Sequence, residues 1–568
     1  MSDRTDTQST VPAPAPRHLD AVIVGAGFSG MYQLLRLRDH LKMDAVVLEA
    51  GDGVGGTWYW NRYPGARCDS ESHSYSYYFD DDLVRDWEWS ERYPGQAEIL
   101  RYLNHVADRY RLRPDIRLNT RVTAAHYDQA ANLWLVETDT GERYSARFLI
   151  AAVGCLSAAN IPDIPGLSSF AGRWYHTGEW PHEGVDFTGK RVGQIGTGST
   201  GIQCAPVIAA SAAHLTVFQR TANYSIPARN EPLTEEFKQY VREHVDEIRQ
   251  VMQATTNGHP FMVADRAARE TSPEERQAIY EAAWEKGGLR FRATFKDLLV
   301  DQAANDTAAE FIKAKIRQVV KDPVKAAILS DIDHPFAAKR PPIDTDYFET
   351  FNRDNVSLVD LRATPIVEIV PEGIRTTDAT YPLDIIVFAT GFDAMTGALL
   401  KIAIEGRDGL TLQQAWKAGP RNYLGLQVPG FPNFFTVTGP GSPSVLCNLP
   451  VAIEQHVDWI TDCIARMRER GLSRVEATDE AAEQWQRKVQ AAADATLLAN
   501  VSHSWYLGAN VPGKPRIFMP YAGGMARYRG ICDEVAAQDY PGFVFDGRPF
   551  RAAPARERSP SLPDWSTS

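Results

Sequence analysis

Cysteine is scarce in this sequence, and no two cysteines stand at a spacing typical of redox or zinc sites. The chain has 6 cysteines among 568 residues, and none belongs to a Cys-x-x-Cys motif. Scattered cysteines of this kind are typical of reduced thiols in the cytoplasm rather than of a disulfide framework or a zinc module. We therefore expect a cytoplasmic protein with no disulfides, no redox pair and no metal site.

Positive charge is in deficit, and long apolar segments are missing. The formal net charge is −12, which argues against nucleic acid or an anionic membrane surface as the main partner, since either requires a basic face. No apolar run reaches the roughly 18 residues that a membrane-spanning helix needs. Residues 1–17 contain no hydrophobic segment, so we do not expect a signal peptide there. The remaining composition, 44% hydrophobic and 23% charged, is that of a globular enzyme, and its length predicts about three or four domains.

The first chemical signal is a strand, a glycine motif and a helix in direct succession. The segment AVIVGAGFSGMYQLLRLRDHL contains GxGxxG at Gly25, Gly27 and Gly30. In such a unit the glycines allow a tight turn, the close approach of a pyrophosphate and the packing of helix on strand, and the phosphates lie at the positive end of the helix. A second apolar segment, DAVVLE, ends in Glu49, where an acid can bind ribose hydroxyls. The unit predicts a site for FAD.

A second unit repeats this plan with the opposite charge. The motif GTGSTG at 196–201 follows the strand RVGQI, and Arg220 stands as far after this motif as Glu49 stands after the first one. A guanidinium at that position suits the 2′-phosphate of NADPH, and Thr221 adds a neighbouring hydroxyl. The competing interpretation of Arg220 is a solvated arginine at a strand end. The matched spacing favours the cofactor role, so we predict an NADPH site.

The pattern between and after these units predicts an α/β protein with two Rossmann-like dinucleotide-binding domains and a helical insertion. Apolar residues at helical spacing form one stripe at Phe237, Val241, Val245, Ile248 and Met252. The apolar strands FLIAAVG and DIIVFATGF indicate where the chain passes between the domains. The predicted boundaries are a disordered tail at 1–17, the FAD-binding domain at 18–150 and 386–550, the NADP-binding domain at 151–224 and 336–385, the helical insertion at 225–335, and a disordered tail at 551–568.

The segment FAGRWYHTGEWP, at 170–181, lies between the two glycine motifs and fits the pattern FxGxxxHxxxWP. Together with GGTWYWNRYPGARCDSES at 55–72, AKRPPIDTDYFETFNRDNV at 338–356 and SWYLGANVPGKPR at 504–516, it resembles the type I Baeyer–Villiger monooxygenases. The resemblance extends from about residue 18 to 548 and is strongest to the phenylacetone and steroid monooxygenase branch.

The histidine of this connector, His176, has two interpretations. A side chain that titrates near neutral pH can serve as a general base. Pro181 and the bulky neighbours favour instead a rigid connector that locks the hinge between two nucleotide domains. The resemblance agrees, because family members use the motif to couple domain motion, and we predict that His176 is not catalytic.

The resemblance implies the chemistry of oxygen insertion next to a ketone carbonyl. In the family, NADPH reduces FAD, O₂ adds to give a flavin peroxide, and a Criegee adduct with the ketone rearranges to an ester or lactone. By the same resemblance Arg340 is the catalytic cation and Asp69 the carboxylate that orients it. From the residues alone, Asp69 is equally a helix cap and Arg340 a surface charge. The substrates implied are O₂ and a bulky cyclic, aryl or steroidal ketone, and the expected oligomeric state is a monomer.

The remaining predicted contacts follow from the motifs and the resemblance. Lys339 is expected to assist Arg220 at the 2′-phosphate, and Trp505 either contacts the nicotinamide side or packs in an interface. The segment GPGSPSVL predicts a substrate-lining bulge at Ser444, Val445 and Leu446. The full set of predicted cofactor-binding residues is Gly25, Gly27, Phe28, Ser29, Gly30, Glu49, Gly56, Thr57, Trp58, Arg67, Cys68, Asp69, Tyr75, Val122, Gly196, Thr197, Gly198, Ser199, Thr200, Gly201, Arg220, Thr221, Lys339, Thr390, Gly391 and Trp505.

Three other functions share some of these sequence features. A flavin monooxygenase that oxidises sulfides or amines shares both glycine motifs, but the connector ending in Trp-Pro and the pair Asp69 and Arg340 favour ketones. A pyridine-nucleotide disulfide reductase is excluded because the Cys-x-x-Cys motif is absent. A redox-sensing protein without enzymatic activity would not require Asp69, Arg340 and Lys339 together.

Overall fold

The computed structural model describes residues 15–501, 503–546 and 548–549. The predicted tails therefore lie outside the described residues, except for 15–17. The strands, in chain order, are β1 (Arg17–Val24), β2 (Ala45–Leu48), β3 (Ile116–Arg117), β4 (Val122–Asp128), β5 (Leu133–Thr138), β6 (Arg143–Ala151), β7 (Arg173–His176), β8 (Arg191–Ile195), β9 (His214–Gln219), β10 (Ile226–Pro227), β11 (Ile343–Asp344), β12 (Val356–Asp360), β13 (Ile366–Val370), β14 (Gly373–Thr376), β15 (Thr380–Pro382), β16 (Ile385–Phe388), β17 (Ala403–Glu405), β18 (Phe434–Thr436), β19 (Val475–Ala477), β20 (Phe543–Phe545) and β21 (Arg548–Pro549).

Helices connect most of these strands. The α-helices are α1 (Phe28–Leu35), α2 (Thr57–Trp60), α3 (Asp81–Asp86), α4 (Gln96–Arg109), α5 (Ser199–Ser211), α6 (Glu235–Glu243), α7 (Val245–Ala254), α8 (Pro273–Lys286), α9 (Gln302–Val319), α10 (Pro323–Ser330), α11 (Tyr347–Thr350), α12 (Gly397–Leu400), α13 (Leu412–Ala415), α14 (Leu449–Glu469), α15 (Asp479–Asp494) and α16 (Met525–Ala537). A π-helical turn covers Arg36–His40, and short 3₁₀ helices cover Ser72–Ser74, Arg113–Asp115, Leu167–Ser169, Thr177–Glu179, Ala268–Glu270, Leu289–Ala293, Arg407–Gly409, Ser444–Leu446, Leu497–Asn500 and Trp505–Leu507.

The larger sheet carries the first glycine motif. Its strands run in the order β17-β4-β5-β6-β1-β2-β3, and β18 also pairs with β6. Strand β1 is parallel to both β2 and β6, so that Val24 aligns with Leu48 and with Ala151. Three apolar strands therefore end at one edge, where the chain continues into Gly25, Glu49 and Ala152.

A second, five-stranded sheet carries the second motif. The order is β12-β9-β8-β16-β7, and every neighbouring pair is parallel. Ile195 of β8 aligns with Phe218 and with Phe388, which places the start of GTGSTG, Arg220 and the ATGF turn at one edge. Ligands of open parallel sheets bind outside the carboxyl ends of the strands. The two sheets confirm the predicted fold class.

The helical region between β9 and β11 differs from the prediction in two respects. The apolar stripe from Phe237 to Met252 is divided between α6 and α7, because His244 leaves helical geometry at φ −117° and ψ 29°. A short strand, β10, also lies within 225–335 and pairs in parallel with β11. A two-residue strand of Ile and Pro is too short to produce a periodic sequence signal.

These helices pack against two different cores. Val241, Val245, Ile248 and Met252 of α6 and α7 are buried in the core of the first sheet. Helices α8, α9 and α10 instead bury apolar residues in the core of the second sheet. The predicted domain boundaries stay a prediction, because α6 and α7 pack on the first sheet whereas α8, α9 and α10, from the same predicted insertion, pack on the second. None of the described helices combines the length and the apolar character that crossing a membrane needs.

Candidate active site

The first glycine turn is shaped by close backbone approaches. A Cβ on Gly30 would lie 1.8 Å from the carbonyl oxygen of Gly25, so helix α1 can pack on β1 only without a side chain there. Gly27 faces Gly56, whose own added Cβ would lie 2.7 Å from the Cα of Gly27. The two glycine segments therefore meet as bare backbone, which leaves room for a pyrophosphate at the start of α1.

Glu49 is fixed at the same edge. The side chain is 4% exposed, and its two oxygens accept hydrogen bonds from the backbone N–H of Ala26 at 2.7 Å and of Gly51 at 2.8 Å. A carboxylate oxygen can accept more than one hydrogen bond. Both oxygens therefore stay able to accept hydrogen bonds from ribose hydroxyls, and this pair of acceptors fits the adenosine half of FAD.

Aromatic side chains border the space beyond this turn. The Trp58 Nε1–H donates to the Tyr75 hydroxyl at 3.2 Å, and the Phe28 ring meets Tyr75 edge-on at 5.3 Å between centroids. Burial raises the pKa of Tyr75 beyond its ordinary value, so the phenol stays neutral. Arg67 forms an ion pair with Glu91 at 2.7 Å.

The two predicted catalytic residues lie together. The Arg340 Nε lies 3.3 Å from Asp69 Oδ2, and their side chains are only 24% and 13% exposed. The Arg340 backbone N–H donates to the Tyr506 hydroxyl at 3.2 Å. Although burial opposes it, the charge of Asp69 raises the pKa of Arg340. The guanidinium is therefore a fixed, permanently charged group at neutral pH.

A cavity of about 160 Å³ opens beside this ion pair and reaches the second glycine motif. Among the described residues, its lining comprises Trp58, Tyr63, Arg67, Cys68, Asp69, Ser70, Tyr75, Ser199, Gln203, Arg340, Cys447 and Leu449. Gln203 of α5 links the two units, since its amide donates to the Arg67 carbonyl at 3.0 Å and accepts from Tyr63 at 2.8 Å. The predicted catalytic pair thus stands between the two candidate dinucleotide sites.

The second site combines an open turn with basic side chains. A Cβ on Gly198 would meet nothing within 4 Å, and Thr197 Oγ1 donates to the Thr221 carbonyl at 2.8 Å. Burial lowers the pKa of Lys339 to about 8, with Asp333 opposing this shift and Arg220 adding to it. The charge of Arg220 therefore acts on Lys339, as expected if both lie at the edge where a 2′-phosphate would bind.

Comparison with known proteins gives the family. Residues 22–274 match the family described as pyridine nucleotide-disulphide oxidoreductase. The chain is 44% identical over 534 residues to a 2-oxo-Delta(3)-4,5,5-trimethylcyclopentenylacetyl-CoA monooxygenase from Pseudomonas putida, covering 92% of this chain and 98% of that protein. It is 43% identical over 549 residues to a Baeyer–Villiger monooxygenase from Pseudooceanicola batsensis (strain ATCC BAA-863 / DSM 15984 / KCTC 12145 / HTCC2597), with coverages of 96% and 99%. The chain belongs to the Baeyer–Villiger monooxygenase family.

A solved structure of this family agrees in sequence and in fold. An oxidized steroid monooxygenase bound to NADP has 52% sequence identity and a TM-score of 0.88, with 93% of this chain and 99% of that chain covered. The match to the disulphide oxidoreductase family spans the two glycine units, and the six cysteines of this monooxygenase are free and buried. These relatives favour ketone oxidation over the alternative of sulfide or amine oxidation.

The lining of the cavity beside Arg340 does not include the predicted substrate-lining residues Ser444, Val445 and Leu446, and their contact with a substrate stays a prediction. Ser444–Leu446 forms a 3₁₀ helix, and Val445 and Leu446 pack in an apolar cluster with Trp505 and Tyr506. From this segment Cys447 and Leu449 line the cavity instead. The sequence carries no signal that distinguishes these neighbours, because all of them are small or apolar and adjacent in the chain.

Three further predicted contacts have structural roles of their own. Val122 begins β4 and is buried in an apolar core. Thr390 Oγ1 donates to the Asn160 carbonyl at 2.6 Å. Trp505 packs its ring 4.4 Å from the Tyr506 ring. Their contacts with cofactors stay predictions.

The connector histidine is held inside the protein. His176 is 2% exposed, its Nδ1 accepts from the Gly178 N–H at 3.0 Å, and its ring meets Phe392 edge-on at 6.0 Å. Burial lowers the pKa of His176, so the ring is neutral. It ties β7 to the ATGF turn after β16, which agrees with a structural role.

Proposed function

We propose that this monooxygenase uses its Arg340–Asp69 pair to direct oxygen insertion next to a ketone carbonyl, with NADPH and O₂ as co-substrates and an ester or lactone as product. The observation that supports the proposal is the position of this pair. It lines one cavity that also contacts both the aromatic wall of the first unit and Ser199 of the second.

The glycine segments and polar groups fit the two cofactors. FAD, when bound, supplies the capacity to accept a hydride from NADPH and to activate O₂. Gly25, Gly27, Gly30 and Glu49 would hold FAD, and Trp58 and Tyr75 would border it. Gly196, Thr197, Gly198, Ser199, Gly201, Arg220, Thr221 and Lys339 would hold NADPH.

Arg340 stabilises negative charge that develops at the reacting oxygen atoms. A preorganised cation in a site with little water acts on such charge more strongly than one in bulk solvent. Asp69 keeps the guanidinium in place through its ion pair, and the Tyr506 hydroxyl fixes the Arg340 backbone. Aromatic and apolar lining from Trp58, Tyr75 and Leu449 excludes water from the carbonyl.

The proposed substrates are bulky cyclic, aryl or steroidal ketones. Two relatives support this class, since one is a steroid monooxygenase and the other is a monooxygenase named for a 2-oxo-cyclopentenyl compound. The cavity of about 160 Å³ is smaller than ordinary ligand pockets of about 300–1,000 Å³. Bulky ketones would therefore require this cavity to widen. We further propose that the enzyme is a cytoplasmic monomer, consistent with its negative charge and its free cysteines.

The direct test is product formation from O₂ labelled with ¹⁸O. Purified yellow protein is incubated with NADPH and a panel of linear, aryl, macrocyclic and steroidal ketones. We expect faster NADPH oxidation with a ketone and an ester or lactone that carries one labelled oxygen. An aryl methyl sulfide serves as the comparison substrate. Unlabelled product, or sulfoxide formed in place of any ester, would contradict the proposal.

A further inference from the structure

Two segments that are distant in the chain bring three side chains capable of binding a metal together. Asp333 and His334 follow helix α10, and His503 precedes the 3₁₀ helix Trp505–Leu507. One possible ligand atom from each side chain lies within 4.8 Å of the other two. In the parts of the chain that the structure describes, this is the one group of three histidine, cysteine or acidic side chains arranged so closely. The cysteine spacing could not predict it, because none of its members is a cysteine.

The distances in this Asp333–His334–His503 cluster are close to those between ligands of one metal ion. Asp333 Oδ1 lies 3.2 Å from Nδ1 of His334 and 3.6 Å from Nε2 of His503. Zinc bonds to nitrogen and oxygen are about 2.0–2.1 Å long, so tetrahedral geometry places two ligand atoms about 3.3–3.4 Å apart. A single ion between these atoms therefore requires only small movements of the side chains.

Hydrogen bonds within the protein do not satisfy this cluster. Nε2 of His503 is buried and has no hydrogen-bond partner among the described residues, and its 3.6 Å separation from Asp333 is too long for a hydrogen bond. A buried polar atom without a partner costs free energy. The nitrogen is satisfied either by an ion pair, in which a protonated His503 faces Asp333, or by a metal ion that binds both side chains.

The chemistry of the three ligands indicates which ion would bind. Two imidazoles and one carboxylate suit first-row transition metals such as zinc, whereas Mg²⁺ and Ca²⁺ prefer sites made of oxygen atoms. The His334 side chain is only 1% exposed, but that of Asp333 is 45% exposed, so an ion could enter from the solvent and keep a water molecule as its fourth ligand. We infer that this cluster binds a first-row transition-metal dication, for which Zn²⁺ is the probe.

A metal ion at this position would join two segments that meet again at Arg340. The first segment is fixed to helix α9, because the Phe336 N–H donates to Asn305 Oδ1 at 2.7 Å and the Phe336 carbonyl accepts from Asn305 Nδ2 at 2.8 Å. Further along this segment, the Arg340 N–H donates to the Tyr506 hydroxyl at 3.2 Å. An ion bound through His503 would hold the 3₁₀ helix that carries Tyr506 against this fixed segment.

Isothermal titration calorimetry tests the site directly. The FAD-bound enzyme is freed of metal with EDTA, dialysed and titrated with ZnCl₂ or MgCl₂. We expect one Zn²⁺ to bind per chain and no heat of binding from Mg²⁺. His503→Gln and Asp333→Asn each remove one ligand from a side chain that is 29% and 45% exposed, respectively, and should weaken Zn²⁺ binding at least about tenfold. Co²⁺ used in place of Zn²⁺ should give the ligand-field absorption of a tetrahedral site, and both variants should lose it.

The control is His126→Gln, which removes a partly exposed histidine that lies 3.6 Å from Glu405 in another part of the protein. This variant should bind Zn²⁺ as tightly as the unaltered enzyme does. Failure of the unaltered enzyme to bind Zn²⁺ would overturn the inference and favour the ion pair. A Kd for Zn²⁺ that is unchanged in His503→Gln, or equal binding of Mg²⁺, would also overturn it.

Hydrogen exchange tests the link between the two segments. Zn²⁺ should slow the exchange of backbone amides at residues 505–508 in the unaltered enzyme but not in His503→Gln, because only the former can hold the 3₁₀ helix through the ion. Zn²⁺ binding without slower exchange there would overturn the link. None of these measurements involves ketone oxidation, so failure of the proposed function would be a separate result.

Discussion

At the scale of single residues, we expect the charge of Arg220 to decide which nicotinamide cofactor is preferred. Arg220 is exposed at the end of β9, and Arg220→Ala removes the cation expected at the 2′-phosphate. A charged hydrogen bond contributes about 1.5–3 kcal/mol, so NADPH should bind roughly ten- to a hundredfold more weakly. Kinetics with NADH should hardly change. The control is Arg173→Ala, an exposed arginine of β7 in the same sheet, and equal losses for both cofactors would refute the assignment.

Titration of Lys339 should make the binding of NADP⁺ at the same site depend on pH. Its pKa is lowered to about 8, so the ammonium is present below this pH and is lost as pH rises through it. The Kd for NADP⁺ should be level from about pH 6.5 to 7.5 and increase above pH 8, by at most about tenfold per pH unit. Titration of flavin absorbance measures this Kd. Lys339→Arg should remove the dependence, because arginine stays charged; a rise that persists in this variant would show that another group titrates.

At the scale of elements, two glycines of the second motif should have different roles, Gly198 in binding NADPH and Gly201 in folding. Gly198→Ala places a Cβ in open space, whereas Gly201→Ala places one 2.2 Å from the Gly196 carbonyl oxygen. We expect Gly198→Ala to fold with FAD bound but to bind NADPH about ten- to a hundredfold more weakly, since the added methyl blocks the pyrophosphate. Gly201→Ala should instead lower the thermal stability, because overpacking costs about 1–3 kcal/mol or more. Tight NADPH binding by Gly198→Ala would place the pyrophosphate elsewhere.

Features that are local in the chain could be predicted from the sequence, whereas features that depend on tertiary packing could not. The two strand–glycine–helix units were predictable, because the motif, the strand ends at Leu48 and Ile195, and the charges at Glu49 and Arg220 are local in the chain. The break of the α6–α7 stripe at His244 was not, since apolar spacing continues across it and tertiary packing determines the geometry. No sequence pattern indicated that Cys447 lines the cavity. Nor could the sequence show that Arg290 pairs with Glu71, because that depends on a contact across more than two hundred residues.

At the scale of the whole molecule, one buried carboxylate joins the helical region to the first unit. Glu71 lies 2.8 Å from Arg92 and 3.1 Å from Arg290. Against the opposing effect of burial, His73 and these arginines lower the pKa of Glu71 to about 2. The pKa of His73 itself is lowered to about 4, so at neutral pH the two arginines supply the attraction.

The stability effect of this cluster has a defined pH window. A carboxylate with a lowered folded pKa contributes stability above its unfolded pKa of about 4.5, and this contribution fades as pH falls toward 2. Glu71→Gln should therefore lower the unfolding free energy by about 2–3 kcal/mol at pH 7. The difference in Tm from the unaltered enzyme should be constant from pH 7.5 to 5.5 and shrink below about 4.5. A difference that grows in acid would contradict this role.

The proposed function requires that oxygen insertion depend on Arg340 while flavin reduction does not. The loss of a preorganised oxyanion donor costs on the order of 10²–10³ in rate, and the loss of a charged one can cost more. In Arg340→Ala, FAD should stay bound and stopped-flow absorbance should show flavin reduction by NADPH, slowed but present. Arg340→Lys should be severely impaired in ester formation, since it keeps the charge without the planar fork.

The most direct measurement is the amount of ester formed per NADPH consumed by Arg340→Ala, with hydrogen peroxide measured in the same reaction. We expect no detectable ester, with the consumed NADPH recovered as hydrogen peroxide. An ester yield per NADPH equal to that of the unaltered enzyme would contradict the proposed role of Arg340, because the catalytic cation would then be a different residue.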